Sequence, residues 1–179
     1  MRIIAGQYRG KKLFSLGNAQ IRPTGDRVKE SLFQILSIRL VGARVLDLFC
    51  GSGALGLECL SRGAREVVFN DASPESLAVA QKNLRAIGCK CRTLGYDYRT
   101  CLARVTGSFD LIFCDPPYKE DFCKCILDTV KERGLLEEGG LVVYESEREE
   151  CAAAGWVVAD RRSYGRCKIT FFARRTEEE

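Results

Sequence analysis

Four acidic residues close short apolar runs in this chain: Asp47 in "VLDLFCGSGALG", Asp71 in "VVFND", Asp97 in "LGYD" and Asp115 in "LIFCDPPY". Each stands at the end of a run with glycine or proline within a few residues, which makes it a candidate for chemistry as well as for a helix cap. Pro116 and Pro117 donate no backbone N–H and cannot continue a central strand. The run before them therefore stops near Cys114, leaving Asp115 and Tyr118 on a stiffened loop at the carboxyl end of a strand. In open α/β sheets ligands bind along that edge. A carboxylate and the Pro116 carbonyl, held rigidly together, can both accept hydrogen bonds from an amino group. That orients the lone pair of a poor nitrogen nucleophile, and the carboxylate can help remove its proton. Tyr118 can stack on a planar target, which a base in a duplex reaches only by flipping out. Taken alone, the tetrapeptide reads as a capping Asp before a Pro-Pro turn. After the fourth strand of a wound sheet it reads as a catalytic loop.

The second constellation is Gly51, Gly53 and Gly56, a G-x-G-x-x-G between a strand and a helix. The spacing fits several nucleotide-like cofactors, because glycines let the backbone approach a ligand and the helix N-terminus offers free N–H groups. Asp47 decides among them. A carboxylate four residues before Gly51 repels a pyrophosphate but suits the ammonium and sulfonium of S-adenosylmethionine. Asp71, at the next strand end, suits a ribose diol. Asp97, at the third, can accept from an adenine amino group, or cap the helix after it. With Phe49 in the same loop, the candidate cofactor-binding set is Asp47, Phe49, Gly51, Gly53, Asp71 and Asp97. The body reads as a class I S-adenosylmethionine-dependent methyltransferase core.

The elements that must position these residues follow from periodicity. "ARVLDLF", "EVVFND", "CRTLGYD", "FDLIFCD" and "GGLVVYESE" are strands. They alternate with helices over "ALGLECLSRG", "SPESLAVAQKNLRAIG" (Ser73 as cap, Pro74 first), "YRTCLARV" and "KEDFCKCILDTVKERG". That rhythm predicts a doubly wound, mostly parallel sheet with helices on both faces. "GWVVADRRSYG" and "RCKITFFARR" read as an antiparallel pair. Ahead of the core, "RIIAG" and "KKLFSL" flank a turn and predict a short β-hairpin. A helix follows with Val28, Leu32, Ile35 and Leu36 on one face, capped by Thr24 or Asp26.

Composition narrows the function further. The 179 residues hold no histidine, which removes Ser-His-Asp and Cys-His chemistry. Ten cysteines lie mostly inside apolar runs with no C-x-x-C pair, so they read as reduced, packed thiols and no metal is expected. The longest apolar runs are too short to span a bilayer and no signal peptide is visible, so a cytoplasmic, membrane-free protein is expected. The net charge is +4, but the first 44 residues carry nine Lys/Arg against two acids. A basic arm over residues 1–44 on a body over 45–179 is the footprint of phosphate-backbone binding, and equally of a solvated basic face.

"RIIAGQYRGKKL", "RPTGDRVKESLFQIL", "DLFCGSGALGLECLSRGA" and "DPPY" together resemble the bacterial RsmD family, small-subunit rRNA guanine-N2 methyltransferases, over essentially the whole chain. The resemblance implies a seven-stranded core and methyl transfer to the guanine at position 966 of 16S rRNA, presented in small subunits or assembly intermediates. It implies S-adenosylmethionine as cofactor; a monomer is expected. Carried over by motif, Asp47, Gly51, Gly53 and Asp71 hold the cofactor and Asp115, Pro116, Pro117 and Tyr118 form the catalytic loop. Arg2, Arg9, Lys11, Lys12, Arg22 and Arg27 become phosphate contacts. Asp71 stands where glutamate is usual, and Gly25 where a hydroxyl residue is common. The D-P-P-Y chemistry also permits adenine in DNA, tRNA or a protein glutamine as acceptor, and a non-catalytic RNA-binding module or a nicotinamide enzyme are the readings from other classes. The basic arm, the intact loop and Asp47 argue against these in turn.

Overall fold

The computed structural model describes residues 1–17, 26–117, 122–150 and 152–175. The chain begins with two short antiparallel arms that exchange Ile3 N–H to Lys11 O (3.0 Å), Gly10 N–H to Ile3 O (2.9 Å) and Leu13 N–H to Met1 O (3.1 Å). The expected hairpin is thus present, reduced to a single bridge between Arg2 and Lys12. Helix α1 (Asp26–Ile35) and a 3-10 turn (Ser37–Arg39) lead into the core. The expected cap residue Thr24 and the side chain of Asp26 lie outside the described residues.

The core alternates as read: β1 (Arg44–Asp47), α2 (Ala54–Ser61), β2 (Glu66–Asn70), α3 (Pro74–Ala86), β3 (Arg92–Leu94), α4 (Tyr98–Arg104), β4 (Phe109–Cys114), α5 (Cys123–Glu132), β5 (Leu136–Ser146), β6 (Trp156–Tyr164) and β7 (Cys167–Arg174). The seven strands form one sheet in the order β3-β2-β1-β4-β5-β7-β6. Strands β1 to β5 pair in parallel, and β7 pairs antiparallel with both β5 and β6. Short βα connections force the parallel part, while the two-residue turn between β6 and β7 can only give an antiparallel hairpin. Ser73 caps α3 by accepting from Ser76 N–H, with Pro74 at its first position.

Two boundaries differ from the reading. Strand β3 is only three residues long. Strand β5 starts earlier, at Leu136, because Leu136 pairs with Phe109 before an irregularity carries the register past Gly139 and Gly140 to Leu111↔Leu141. Glu and Gly are poor strand formers, so "EEGG" showed no strand pattern; the edge of β4 imposes one.

Strands alternate side chains between faces. One face (Val45, Phe69, Leu111, Phe113, Leu141, Val143, Ile169, Phe171) packs under the N-terminal arms, α1, α2 and α3. The other (Leu46, Val68, Ile112, Val142, Tyr144, Phe172) packs under α4 and α5. Burying both faces explains why the central strands are continuous apolar runs.

Candidate active site

Asp47 ends β1 on the first of these faces, beside the glycine loop. Gly53 takes φ +81 at the start of α2, and a Cβ on Gly56 would stand 2.3 Å from the Phe69 ring. Gly56 therefore lets α2 pack directly on β2, and that approach brings its N–H 3.0 Å from Asp47 Oδ2. Asp47 is 2 % exposed. Burial raises its pKa to about 7; the Gly56 N–H counters part of this, and the Asp71 charge adds to the rise. A buried anion this costly is suited to meet a cation.

Asp71 ties two loops together. Its Oδ2 accepts from Gly51 N–H and its Oδ1 from Ser73 N–H, both at 2.8 Å. Gly51 faces open space, with no atom within 4 Å of where a Cβ would stand. These features fit S-adenosylmethionine: an open glycine-lined wall, a buried acid for its ammonium and a half-exposed acid at the second strand end. Asp97 is exposed and caps α4, accepting from Arg99 N–H (3.0 Å), Thr100 N–H (3.1 Å) and the Thr100 hydroxyl (2.5 Å). Those hydrogen bonds, the hydroxyl first, lower its pKa. Of the two roles open to it in sequence, the cap is the one its carboxylate takes here. Phe49 is half-buried and stacks on Phe122 (6.3 Å, 3°) and against Tyr98 (5.9 Å), joining the glycine loop to the starts of α4 and α5.

Asp115 follows β4 on the same face as Asp47. With Cys114 paired to Tyr144, the next residue on each strand is an acid, Asp115 and Glu145. Both line a recess of about 10 Å³ with Leu32, Leu55, Phe113, Cys114, Val143 and Ile169. That is room for roughly one water molecule. Burial first, then the charges of Glu145 and Asp47, hold the Asp115 pKa well above the usual carboxylate range. Pro116 is buried and Pro117 exposed. Tyr118 lies outside the described residues.

Arg2, Arg9 and Arg27 line one cleft of about 340 Å³ with Ile3, Ile4, Gly10 and Glu30. Lys11 and Lys12 are exposed on the same arm, and Arg22 lies outside the described residues. Helix α1 connects the two places, with Arg27 at the cleft and Leu32 at the recess. The arm itself is clamped to α2. Glu58, fully buried, accepts from Ile4 N–H (2.9 Å) and Ala5 N–H (3.0 Å) and pairs with Lys29 (3.3 Å) and Arg62 (2.8 Å). Gly6, at φ +84, lies so close to Ser61 that a Cβ would stand 1.8 Å from its carbonyl oxygen. Among the described residues no three His, Cys, Asp or Glu are grouped to hold a metal, and no helix is long and apolar enough to cross a membrane. The described cysteines are all free thiols, and burial pushes Cys101 up to about 12.

A family model described as conserved hypothetical protein 95 matches residues 1–173. The chain belongs to this family, the RsmD family of methyltransferases. It is 33% identical to ribosomal RNA small subunit methyltransferase D of Escherichia coli (strain K12), covering 100% of this chain and 92% of that protein. It is 35% identical to YlbH of Bacillus subtilis (strain 168), over 98% of this chain and 100% of YlbH. The solved structure of Escherichia coli yhhF matches with a TM-score of 0.88 at 32% identity, covering 97% of each chain. The seven-stranded sheet and these relatives make the protein an S-adenosylmethionine-dependent methyltransferase.

In this RsmD-family chain, three side chains of the site were not legible in sequence, two of them holding its loops in register. Asn70 donates to Leu48 O (2.9 Å) and Tyr96 O (3.0 Å), locking the ends of β1 and β3 together across β2. Asn83, on α3, donates to Ser52 O (2.9 Å) in the glycine loop and to Phe14 O (3.0 Å), and accepts from Phe14 N–H (2.8 Å). It couples the basic arm to the cofactor loop. Glu145 is the third. The available signal was weak: an amide at a strand end or mid-helix, and one more acid at the end of "VVYES".

Proposed function

We propose that this methyltransferase modifies the exocyclic N2 of a guanine in 16S rRNA, within small ribosomal subunits or their assembly intermediates, with residues 1–44 serving as the RNA-binding arm. One observation carries the reading. Asp115, just past the end of β4, lies close enough to Asp47 at the end of β1 to feel its charge, in a chain whose relatives include named rRNA methyltransferases. S-adenosylmethionine, when bound, supplies an electrophilic methyl group on a sulfonium, which leaves as the thioether S-adenosylhomocysteine when the amine lone pair forms the N–C bond.

The chain's own residues do the rest. Asp47 receives the cofactor ammonium, offsetting the cost of its buried charge. Asp71 holds the Gly51 backbone and presents a carboxylate edge to the ribose. The Asp115 carboxylate and the Pro116 carbonyl accept from the target amine, turning its lone pair toward the methyl carbon. Asp115, with its raised pKa, takes up the proton that the alkylated nitrogen loses. Tyr118 is assigned to stack on the base. Arg2, Arg9 and Arg27 hold phosphates in the cleft while α1 spans to the recess; such contacts position the RNA without reading its sequence.

The test uses labelled S-adenosylmethionine with small subunits, free 16S rRNA, tRNA, DNA and total protein in parallel, followed by nucleoside analysis. Label in N2-methylguanosine of 16S rRNA is expected, with Asp115→Ala inactive yet still binding S-adenosylhomocysteine. Label in adenine or in protein alone refutes the reading.

A further inference from the structure

We propose that Glu145 reads the target base: it accepts the ring N1–H of guanine, while Asp115 and the Pro116 carbonyl accept from its N2 amine. This rests on the methyl-transfer reading above, whose site stands on the D-P-P-Y loop, the glycine loop and family membership.

The placement comes from the sheet. Parallel strands β4 and β5 pair as far as Cys114↔Tyr144, so Asp115, just past β4, comes level with Glu145 near the end of β5. Phe113 and Val143, two residues earlier, lie in the same core under α1 and α2, and alternation puts Asp115 and Glu145 on that face as well. Neighbouring strands stand about 4.8 Å apart. Both acids line one recess, with Glu145 only 8 % exposed. The Cys167 thiol donates to Glu145 Oε1 at 3.2 Å and orients the carboxylate. The recess is too narrow for a ring, so only the edge of a planar base reaches the two acids.

The chemistry of that edge selects the base. Ionised carboxylates accept hydrogen bonds and donate none. Guanine presents N1–H beside its amino group, an unbroken row of donors. Adenine presents the N1 lone pair beside its amino group, and cytosine the N3 lone pair; either would face Glu145 with like polarity. Uracil has a ring N–H but no amine, and a glutamine amide has no adjoining N–H. Of these acceptors, guanine alone brings a ring N–H to Glu145 beside an amine held at Asp115.

The test uses the full-length protein and RNA carrying guanosine or 2-aminopurine riboside at the nucleotide that the wild type labels. 2-Aminopurine keeps the N2 amine but has a lone pair at N1. The wild type is expected to prefer guanine. In Glu145→Gln the amide N–H₂ can donate to that lone pair, so the guanine-to-2-aminopurine ratio of kcat/KM is expected to fall roughly 5- to 150-fold, the range for one base-edge contact. A loss of folding alone lowers both rates and leaves the ratio. S-adenosylhomocysteine binding by the variant checks that the cofactor site survives. An unchanged ratio in Glu145→Gln, or equal wild-type transfer to both bases, overturns the inference. Should Glu145→Gln not fold, the wild-type ratio decides. Absence of any transfer to guanine by the wild type removes the underlying function instead, which separates the two failures.

Discussion

Asp47→Asn should make the ligand-free protein more stable at neutral pH while weakening its cofactor binding. Asp47 is 2 % exposed, and burial above all, with the Asp71 charge adding, raises its pKa from 3.8 to about 7. Below pH 3.8 the carboxyl is neutral in both the folded and unfolded chain and costs nothing. As pH rises from there, the unfolded chain releases the proton and the fold retains it, so the contribution of the neutral form is lost progressively until about pH 7 and is constant above. The full rise corresponds to roughly 4 kcal/mol, of which about 3 kcal/mol falls between pH 5 and 7. Asparagine is neutral throughout and its Oδ1 can still accept from Gly56 N–H. Urea denaturation of both proteins at pH 5, 6, 7 and 8 should therefore show the wild type losing about 3 kcal/mol more than Asp47→Asn. The residual slope belongs to Asp115, whose pKa is raised by burial, by Glu145 and by Asp47 itself. S-adenosylhomocysteine, with its ammonium, should bind the wild type about tenfold more tightly per pH unit up to pH 7 and then level off, because only the ionised carboxylate pairs with it. Asp47→Asn should bind weakly with a flat profile. Parallel stability curves for the two proteins, or a variant less stable than the wild type at pH 8, would refute the argument that a buried charge is kept there for a cation.

Gly6→Ala should cost at least about 2 kcal/mol, since its Cβ meets the Ser61 carbonyl at 1.8 Å and φ is +84; amide exchange at Gln7 and Tyr8 should quicken first, and normal protection there would contradict it. Glu58→Ala should cost about 3–5 kcal/mol by leaving Lys29 buried without its carboxylate, whereas Glu58→Met with Lys29→Met should recover most of that in thermal unfolding. Replacing both Lys11 and Lys12 by Gln should weaken RNA binding and lower the salt slope by about 1–2 with S-adenosylhomocysteine affinity unchanged; an identical slope would remove them from the phosphate contacts.

Much of the fold was legible because its determinants are local. Glycine and proline punctuate the chain at fixed offsets from apolar runs, so the ends of β1, β2 and β4, the Ser73-Pro74 start of α3 and the antiparallel β6–β7 pair could be read directly. Those boundaries carry Asp47, Asp71 and Asp115 with them, since a residue at a strand end is placed once the strand is. Two roles stayed open for Asp97 because a cap and a ligand contact need the same residue at the same position; the first turn of α4 takes up its carboxylate.

What tertiary structure decided is whatever depends on partners far apart in the chain. Glu145 stands beside Asp115 only because β5 is laid against β4 in one register. Glu58 is a helix residue like any other until the N-terminal arm, 53 and 54 residues away, donates two N–H groups to it. Asn83 is one polar residue on α3 until Phe14 and Ser52 converge on it. Sequence periodicity fixes which way a side chain faces along its own element, but the neighbour it meets is set by sheet order and helix packing, and the charge state of a buried acid is set by that neighbour and by the water it has lost.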